Sequence, residues 1–424
     1  MVALLFILLI LLFALSVPIA TSLGLATAIV AWQGDVFSLQ VIPQQVFNSI
    51  NSFPLMAIPF FILAGYLMET GGISQKLIDF ASTLVGHISG GLAMVAIVTS
   101  MFFAAISGSG AATTAAIGAI MIPAMVAKGY EVRYASANQA VSGALGVIIP
   151  PSIPLILYGI AAQVSVGDMF MAGVLPGVFV TGTLLISAYI VAKKKGYKGV
   201  EKSNVKEVFK AFRGAILSLL MPLIVLGGIY GGVFTPTEAA VIAVVYSFII
   251  GFFVYRRIRV KDLVTIFRDS SVTTAIVMIV IGTAGLFSFF INRLGVPTMI
   301  SEFFLSITSS VFIFLILANI LLLITGMFIE AAAAILILVP ILLPISTSLG
   351  IDPVHFGIIM VVNLAIGLIT PPVGINLFVA SQTAKIKISA ISRAIIPFVI
   401  ILFVDVLIIS FLPIMSLWLP SILN

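Results

Sequence analysis

The sequence contains no cysteine, only two histidines and few charged residues. Without cysteine there is no disulfide framework, thiolate zinc site or thiol chemistry, and His87 and His355 alone do not make a histidine metal cluster. A Gly-x-x-x-x-Gly-Lys-Ser/Thr loop is also missing, so direct use of ATP is not expected. Neither a His-Glu-x-x-His motif nor a Ser/His pair at plausible depth supports an intramembrane hydrolase. These absences predict a protein that is not an enzyme and has no organic cofactor.

Apolar residues dominate what is present: they make up 62% of the 424 residues, against 8% that are charged. Many stretches exceed the roughly 18 apolar residues that a helix needs to cross a bilayer about 30 Å thick. Residues 1–6 carry no positively charged region, so they predict a first span and not a signal peptide. The chain is therefore predicted to be an all-α polytopic membrane protein.

Positively charged residues cluster between the apolar runs. One group lies at 193–213 and a second at 256–268, with the apolar stretches 214–233 and 237–255 between them. Two crossings return the chain to the same side, so the positive-inside rule places both groups in the cytoplasm. Extended along the chain, this topology leaves all but Arg293 of the 20 positive charges in the cytoplasm and puts both termini on the opposite side. The basic composition is therefore a sign of topology and not of nucleic-acid binding.

Two Pro-Pro pairs interrupt apolar segments about 220 residues apart. Residues 146–151 read Gly-Val-Ile-Ile-Pro-Pro, and residues 367–372 read Gly-Leu-Ile-Thr-Pro-Pro. Each proline removes a backbone donor and clashes with the preceding turn, so a pair stops a helix within its span. Unpaired backbone groups at membrane depth persist only where protein covers them or where they line a cavity. A kink would explain one pair alone, but two pairs in matching places predict two related ion or substrate sites.

The two halves, 1–196 and 214–424, follow one plan around a basic cytoplasmic linker, 197–213. Each half opens with two spans and a polar segment, 40–53 or 261–274, that is predicted to lie along the membrane surface. A single span, a re-entrant hairpin, the Pro-Pro helix and a final span follow. The hairpins, 90–127 and 311–346, turn at the polar tips 107–114 and 325–330. Because the first half starts outside and the second inside, the halves are predicted to be inverted repeats with broken helices, the pattern of secondary transporters.

Several polar residues allow more than one interpretation. The Gly/Ser run at 107–110 either binds an ion or lets helices pack closely. Glu330 and Asp405 lie in predicted membrane segments, where a charge costs about 2.5–3.5 kcal/mol on insertion scales. Each is either a proton or ion site or the partner of a neighbouring group. Asn376 either faces a substrate or hydrogen-bonds another helix.

Four motifs together resemble those of the large membrane subunit of tripartite ATP-independent periplasmic (TRAP) transporters, the DctM-like family. They are residues 107–113 (SGSGAAT), 146–154 (GVIIPPSIP), 234–240 (FTPTEAA) and 367–376 (GLITPPVGIN), and the likeness covers essentially the whole chain. The resemblance implies Na⁺-driven uptake of an organic acid, such as a C4-dicarboxylate or a sialic acid, across the bacterial inner membrane. In that membrane the topology derived from Lys and Arg puts both termini in the periplasm. It also implies a soluble periplasmic substrate-binding protein and a small four-helix (DctQ-like) membrane subunit, expected here as a separate chain.

The same resemblance implies an elevator-type architecture, in which residues 90–163 and 311–383 form a transport domain that moves against a scaffold. One Na⁺ is expected, partly on backbone carbonyls, near Ser107, Ser109, Gly110, Gly146 and Pro150, and a second near Thr325, Gly326, Gly367 and Thr370. Substrate is expected near Ser109, Thr113, Ser152, Thr370 and Asn376. Three other classes stay open: a single-component Na⁺- or H⁺-coupled dicarboxylate or citrate carrier, an ion or solute channel, and a purely structural membrane protein.

Overall fold

A computed structural model describes residues 1–34, 38, 40–307 and 310–423, and every regular element in those ranges is helical. The first half contains α1 (Val2–Ala14), α2 (Ile19–Gly34), α3 (Val41–Ile50), a 3-10 turn (Phe53–Met56), α4 (Ala57–Thr70), α5 (Ile73–Val85), α6 (Gly91–Ser107), α7 (Gly110–Ala127), α8 (Val132–Ile148), α9 (Ile153–Ala161) and α10 (Val166–Lys195). The second contains α11 (Val205–Tyr230), α12 (Pro236–Ile249), a π turn (Ile250–Val254), α13 (Val260–Arg293), α14 (Val296–Ile307), α15 (Val311–Phe328), α16 (Ala331–Ser348), α17 (Pro353–Gly367), α18 (Ile375–Ala384), α19 (Ile388–Phe411) and α20 (Ile414–Leu423).

Ten helical segments within the described ranges are long and apolar enough to cross a membrane. They are α4 with its preceding 3-10 turn, α7, α8 continued through α9, α10, α11, α12 with the π turn, α13, α15, α16 and α19. The length of these segments matches the thickness of a bilayer. Their backbone groups are hydrogen-bonded within the helix, so their apolar surfaces can face lipid. The prediction of an all-α polytopic membrane protein is thereby confirmed.

The two Pro-Pro pairs divide their segments as predicted. The first separates α8 from α9, and the second separates α17 from α18. Both pairs contain a cis peptide bond, Pro150–Pro151 and Pro371–Pro372. Before each break stands a helical hairpin, α6–α7 or α15–α16, whose turn falls inside the predicted tip. The inverted orientation of the two halves in a membrane stays a prediction.

The polar surface segments differ between the halves. In the first half, α3 is a short separate helix, because Ser52 and Pro54 interrupt the chain before α4. Residues 261–281 contain neither glycine nor proline, so the corresponding segment continues into α13, a single helix of 34 residues. The prediction of a second separate surface helix at 261–274 is therefore wrong. α3 packs across α13, where a Cβ atom added at Gly282 would lie 3.0 Å from Val46 Cγ1.

The basic linker is shorter than its charge pattern indicates. α10 runs to Lys195, and α11 already begins at Val205, capped by the side chain of Asn204. The intervening chain is attached to the loop between α5 and α6, since Gly90 N–H donates to Tyr197 O (3.1 Å) and Val200 N–H donates to Gly86 O (2.9 Å). The segment thus holds the start of the first hairpin as well as joining the halves.

Two broken helices form the centre of the molecule. In α8 every residue from Tyr134 to Ile148 is buried, and in α17 every residue from His355 to Gly367 is buried. A helix that is buried on all sides needs no apolar stripe facing lipid. This agrees with the sequences of α8 and α17, which carry polar side chains among apolar ones. The hairpins, α10 and α19 surround these helices. The first break lies inside protein, with Pro150, Pro151 and Ser152 buried, whereas Pro372 and Val373 of the second break are exposed.

Candidate functional site

Each hairpin tip is bonded to the unwound chain that follows its Pro-Pro pair. In the first half, Ile153 N–H donates to Gly108 O at 3.3 Å, and in the second, Gly374 N–H donates to Met327 O, also at 3.3 Å. The two donors are 221 residues apart, the same spacing as the two Pro-Pro pairs. We call these places the first junction (residues 107–114 with 146–153) and the second junction (residues 325–330 with 367–374). The sequence-predicted pairing of tip and break is thus present in both halves.

At the first junction, three hydroxyl and carbonyl groups converge on a glycine. Thr113 Oγ1 donates to Ser109 O at 2.8 Å and lies 2.8 Å from Ser107 Oγ. A Cβ atom added at Gly146 would lie 2.6 Å from Thr113 Oγ1, and Ser109 O is also within contact distance. The bare α-carbon of Gly146 therefore allows α8 to approach the tip closely. Ser107, Ser109, Thr113 and Gly146 form one oxygen-rich cluster.

The other predicted residues of this junction have different surroundings. Gly108 has a φ of +58°, and a Cβ atom there would lie 2.9 Å from Pro151 O, so the tip contacts Pro151 and Ser152. Ser152 is buried and donates its hydroxyl to Val147 O at 2.6 Å. Pro150 instead faces α10, with its Cδ 3.5 Å from where a Cβ atom at Gly173 would lie. Pro151 thus contacts the tip through its carbonyl oxygen.

The second junction is built by close backbone contact. A Cβ atom at Gly326 would lie 3.0 Å from Gly367 Cα and 3.1 Å from Leu364 O. Thr370 is buried and donates its hydroxyl to Ile366 O at 2.7 Å, while its own carbonyl oxygen points toward Gly374, 3.1 Å from a Cβ position there. Glycine permits this approach and the positive φ of +52° at Gly374.

Thr325, also predicted here, remains on the hairpin and donates its hydroxyl to Leu321 O at 2.8 Å. This is an ordinary bond to the preceding helical turn, which leaves the oxygen lone pairs of Thr325 free to accept. Thr325, Gly326, Gly367 and Thr370 all belong to the second junction. Their combined ligand set would be hydroxyl and backbone oxygens.

Asn376 links the two junctions. It opens α18 in the second half, but its side chain is fully buried against the first half, where Nδ2 donates to Ala140 O at 3.3 Å. A Cβ atom at Gly110, the first residue of α7, would lie 3.1 Å from Asn376 Nδ2 and 3.2 Å from Oδ1. The N-termini of α7 and α18 therefore meet at Gly110 and Asn376. The amide oxygen of Asn376 has no hydrogen-bond partner among the described residues.

Two further polar side chains, Gln139 beside the first junction and Thr114 within it, were not among the predicted site residues. Gln139, in the middle of α8, is fully buried and donates from Nε2 to Ser100 Oγ (3.3 Å) and Thr113 O (3.4 Å). Thr114 donates its hydroxyl to Gly110 O at 2.8 Å. A carboxamide inside a long apolar segment is a sequence signal that was available for Gln139. The contact of the Gln139 side chain with Thr113 depends on tertiary packing, so it could not be predicted from the sequence.

The two membrane carboxylates have partners of their own. Glu330 is the N-cap of α16, and its Oε2 accepts from Ala332 N–H at 3.0 Å. Asp405 in α19 accepts from Thr183 Oγ1 of α10 at 2.5 Å. Asp405 therefore joins two long spans away from the tips, whereas Glu330 belongs to the second hairpin tip.

The junctions contain helix N-termini, hydroxyl and carbonyl oxygens and one carboxylate, that of Glu330. α7, α9, α16 and α18 begin there with Ser109, Ser152, Glu330 and Gly374 as N-caps, and none of the residues of either junction is Lys, Arg or His. Helix N-termini carry partial positive charge and unpaired N–H groups, which suit an anion. No group of three or more His, Asp or Glu side chains that would hold a transition metal occurs in the described ranges. Hydroxyl and carbonyl oxygens are ligands for a hard cation.

Comparisons with known proteins agree on one family. The family described as "Tripartite ATP-independent periplasmic transporter, DctM component" matches residues 6–415. The C4-dicarboxylate TRAP transporter large permease protein DctM of Pseudomonas aeruginosa is 44% identical over 94% of each chain. The sialic acid TRAP transporter large permease protein SiaM of Vibrio cholerae is 38% identical over 89% of each chain.

A longer relative and a solved structure are also similar to this chain. The isethionate TRAP transporter permease protein DctMQ of Oleidesulfovibrio alaskensis is 47% identical over 94% of the chain, which spans 63% of that relative's length. A crystal structure of the YdaH transporter of Alcanivorax borkumensis shares the fold, with a TM-score of 0.64 over 88% of each chain at 15% identity. These relatives are named as transporters or permeases and not as enzymes, in line with the predicted non-enzymatic role. The chain belongs to the DctM family, the large permease component of tripartite ATP-independent periplasmic transporters.

Proposed function

We propose that this permease carries a small organic anion inward across the bacterial inner membrane, driven by Na⁺ and supplied by a soluble periplasmic binding protein. The names of the relatives support C4-dicarboxylates, sialic acids and isethionate as substrate classes. Their common chemistry is a carboxylate or sulfonate on a small polar molecule. A small four-helix subunit completes the membrane part. The relative named DctMQ supports an association with such a subunit.

The observation that carries this proposal is the meeting of two helix N-termini, those of α7 and α18, at Gly110 and Asn376. They come from opposite halves of the chain, and the buried Asn376 amide lies between them. In this proposal the acidic group of the substrate accepts from the N–H groups of one or both helices and from Asn376 and Ser109, while Thr113 holds the tip by donating to Ser109 O. These donors are neutral, so no fixed positive charge binds the anion. Release of the anion therefore does not require an ion pair to be broken.

The coupling ions occupy the oxygen clusters on either side. The first Na⁺ site uses Ser107, Ser109, Gly110, Gly146 and Pro150, partly through backbone carbonyls. The second uses Thr325, Gly326, Gly367 and Thr370. A cation next to the substrate anion reduces the cost of moving either charge through low-dielectric protein. If two Na⁺ accompany one monovalent anion, one net charge moves inward, and the membrane potential contributes about 2.3 kcal/mol per 100 mV.

The transport domain in this proposal consists of residues 90–163 and 311–383, which carry both junctions, and it moves against the remaining helices as an elevator. The backbone bonds between tips and breaks support this division, since they tie each hairpin to its own broken helix. Asn376 and Ala140 tie the two halves of the block together. Such a block moves as a unit with its ions and substrate enclosed.

Ion replacement in proteoliposomes tests the coupling. The permease is reconstituted with its small subunit and supplied with binding protein and labelled substrate, and the membrane potential is fixed by a K⁺ gradient with valinomycin. We expect accumulation when an inward Na⁺ gradient is imposed and none when choline replaces Na⁺. Accumulation driven equally by an inward proton gradient without Na⁺ would contradict the proposal and favour an H⁺-coupled carrier. Unsaturable flux in both directions would indicate a channel.

A further inference from the structure

A basic cavity lies away from both junctions, where the first half of the chain meets the second. Its volume is about 520 Å³, and it is lined by the turn between α4 and α5 and by the end of the π turn that follows α12. Lys76 and Arg257 contribute positive charge, and Gln75 and Tyr255 contribute neutral polar groups. Among its described lining residues none is acidic. The cavity therefore has the charge of an anion site.

Backbone geometry directs Arg257 toward this space. Gly71 packs directly on the π turn, since a Cβ atom at Gly71 would lie 3.2 Å from Gly251 Cα. Arg256 then takes a left-handed φ of +53°, which lets Arg257 N–H donate back to Gly251 O at 3.0 Å. As a result the side chain of Arg257 lies over Gly72, its Cγ 3.2 Å from a Cβ position there. The backbone of Arg257 is thus fixed beside Gly72, and its side chain is exposed at the mouth of the cavity.

Neither cation of the cavity, Lys76 or Arg257, forms an ion pair with a carboxylate in the described ranges. The ion pairs there involve Glu131 and Asp269. Asp79, one turn beyond the cavity on α5, accepts instead from Gln75 Nε2 at 2.8 Å. The N-cap of α5 is Gly72, which has no side chain to satisfy the first N–H groups of the helix. Two cations and an uncapped helix N-terminus thus share one space.

The position of the cavity relative to the spans indicates its ligand. Thr70 is the last residue of one candidate span, Phe53–Thr70, and Val254 is the last residue of another, Pro236–Val254; both line the cavity. It therefore lies at the level of the lipid headgroups, on the side that the distribution of Lys and Arg assigns to the cytoplasm. Val254 is 50% exposed and Phe253 is 59% exposed, so the cavity opens onto the lipid-facing apolar surface.

We propose that this cavity binds the phosphate of an anionic phospholipid from the cytoplasmic leaflet. The phosphate oxygens accept from Lys76, Arg257 and the first N–H groups of α5, and the acyl chains run along Phe253 and Ile249. Basic pockets between membrane helices on this side suit such headgroups. The lipid joins the α4–α5 turn of the first half to the end of α12 in the second and thereby stabilises the contact between them. A soluble phosphate shares the headgroup chemistry, but the opening onto the apolar surface favours the lipid.

Native mass spectrometry of the detergent-solubilised permease tests this site with phosphatidylglycerol as the probe and phosphatidylcholine as the neutral comparison. We expect retained phosphatidylglycerol on the natural protein, and an affinity lower by about tenfold or more in the double variant Lys76→Gln, Arg257→Gln. The control variant Lys194→Gln, Lys202→Gln removes two exposed cations outside the cavity and is expected to bind as the natural protein does. Equal binding by the cavity variant and the control would overturn the proposal.

Two further measurements keep the test decisive. The variant Lys76→Arg, Arg257→Lys preserves both charges and is expected to retain phosphatidylglycerol, which tests the site even if the glutamine variant does not fold. Its failure to bind lipid while folded would contradict the proposed charge recognition. Inorganic phosphate is added as a competitor, and we expect it to displace little lipid at millimolar concentration. Displacement at such concentrations, together with equal binding of phosphatidylcholine, would assign the cavity to a soluble phosphate and overturn the lipid proposal.

Discussion

Gly146 is important because it has no side chain. The sequence singles it out as a carbonyl ligand near a break, and the structure gives it a second role, since a Cβ atom would meet Thr113 Oγ1 at 2.6 Å. Cβ atoms do not approach other heavy atoms so closely, so the tip or α8 would have to move. A residue that brings two helices together in this way controls the shape of the oxygen cluster between them.

We therefore expect Gly146→Ala to lower Na⁺-driven uptake by about tenfold or more while leaving the protein folded, because overpacking of this size costs about 1–3 kcal/mol. Gly182→Ala is the matched control, since a Cβ atom at Gly182 in α10 meets nothing within 4 Å. Uptake and thermal unfolding are measured for both variants in proteoliposomes. If Gly146→Ala transports as well as Gly182→Ala, close contact at the first junction is not required.

Thr370 tests the second junction. Its hydroxyl donates to Ile366 O, which leaves its oxygen lone pairs for a cation. We expect Thr370→Val, which keeps the shape and removes the oxygen, to raise the Na⁺ concentration for half-maximal uptake by about fivefold, the effect of roughly 1 kcal/mol. The control is Thr347→Val on the exposed end of α16, where the hydroxyl makes a similar helical bond to Leu343 O. An unchanged Na⁺ dependence in Thr370→Val would remove Thr370 from the site.

The elements show why sequence prediction succeeded at the breaks and failed elsewhere. Pro-Pro pairs and Gly-Ser tips act through local sterics, so the ends of α8 and α17 and both hairpin turns could be predicted. The continuity of α13 was missed because charge pattern alone does not end a helix: residues 261–281 lack any glycine or proline. Local covalent geometry fixes such boundaries, whereas polarity only favours a surface position.

The attachment between the linker and the first hairpin was also outside the reach of the sequence. Tyr197 stacks on Tyr130 with ring centroids 4.1 Å apart, and its hydroxyl accepts from Glu131 N–H at 3.2 Å. These contacts join the loop before α8, in the proposed transport domain, to the end of α10. Lys195 and Arg133 donate to Glu131, which holds the pKa of this carboxyl below its ordinary value. Since that pKa is lowered, the pairing is complete at neutral pH and is lost only as the pH falls below the ordinary value near 4.5.

Hydrogen–deuterium exchange tests this attachment. We expect Tyr197→Ala to remove a stacking contact of about 0.5–1.5 kcal/mol and to increase amide exchange at Gly90 and Val200, whose N–H groups bond across the loop. Exchange at Val233, which donates to Gly228 O in the turn after α11, serves as the internal control and is expected to stay constant. Unchanged protection at Gly90 and Val200 would mean that the backbone bonds hold the linker without the ring.

At the scale of the whole molecule, the halves interlock in both directions. Asn376 of the second half donates to Ala140 of the first across 236 positions, and Tyr158 of the first half donates to Pro353 O of the second at 2.6 Å across 195 positions. No pattern along the chain predicts such contacts, because they depend on how α18 and α9 pack on helices distant in sequence. The sequence predicted Asn376 as a site residue, but its place beside Gly110 came only from the structure.

The central claim is that this permease is one part of a Na⁺-driven tripartite system. The most direct test is uptake into proteoliposomes that contain the chain with its small subunit, a soluble binding protein and an inward Na⁺ gradient, with each component omitted in turn. The account predicts accumulation only when all four are present, because the binding protein delivers the anion and the gradient supplies the energy. Accumulation by this chain alone would contradict the account and identify a self-sufficient carrier.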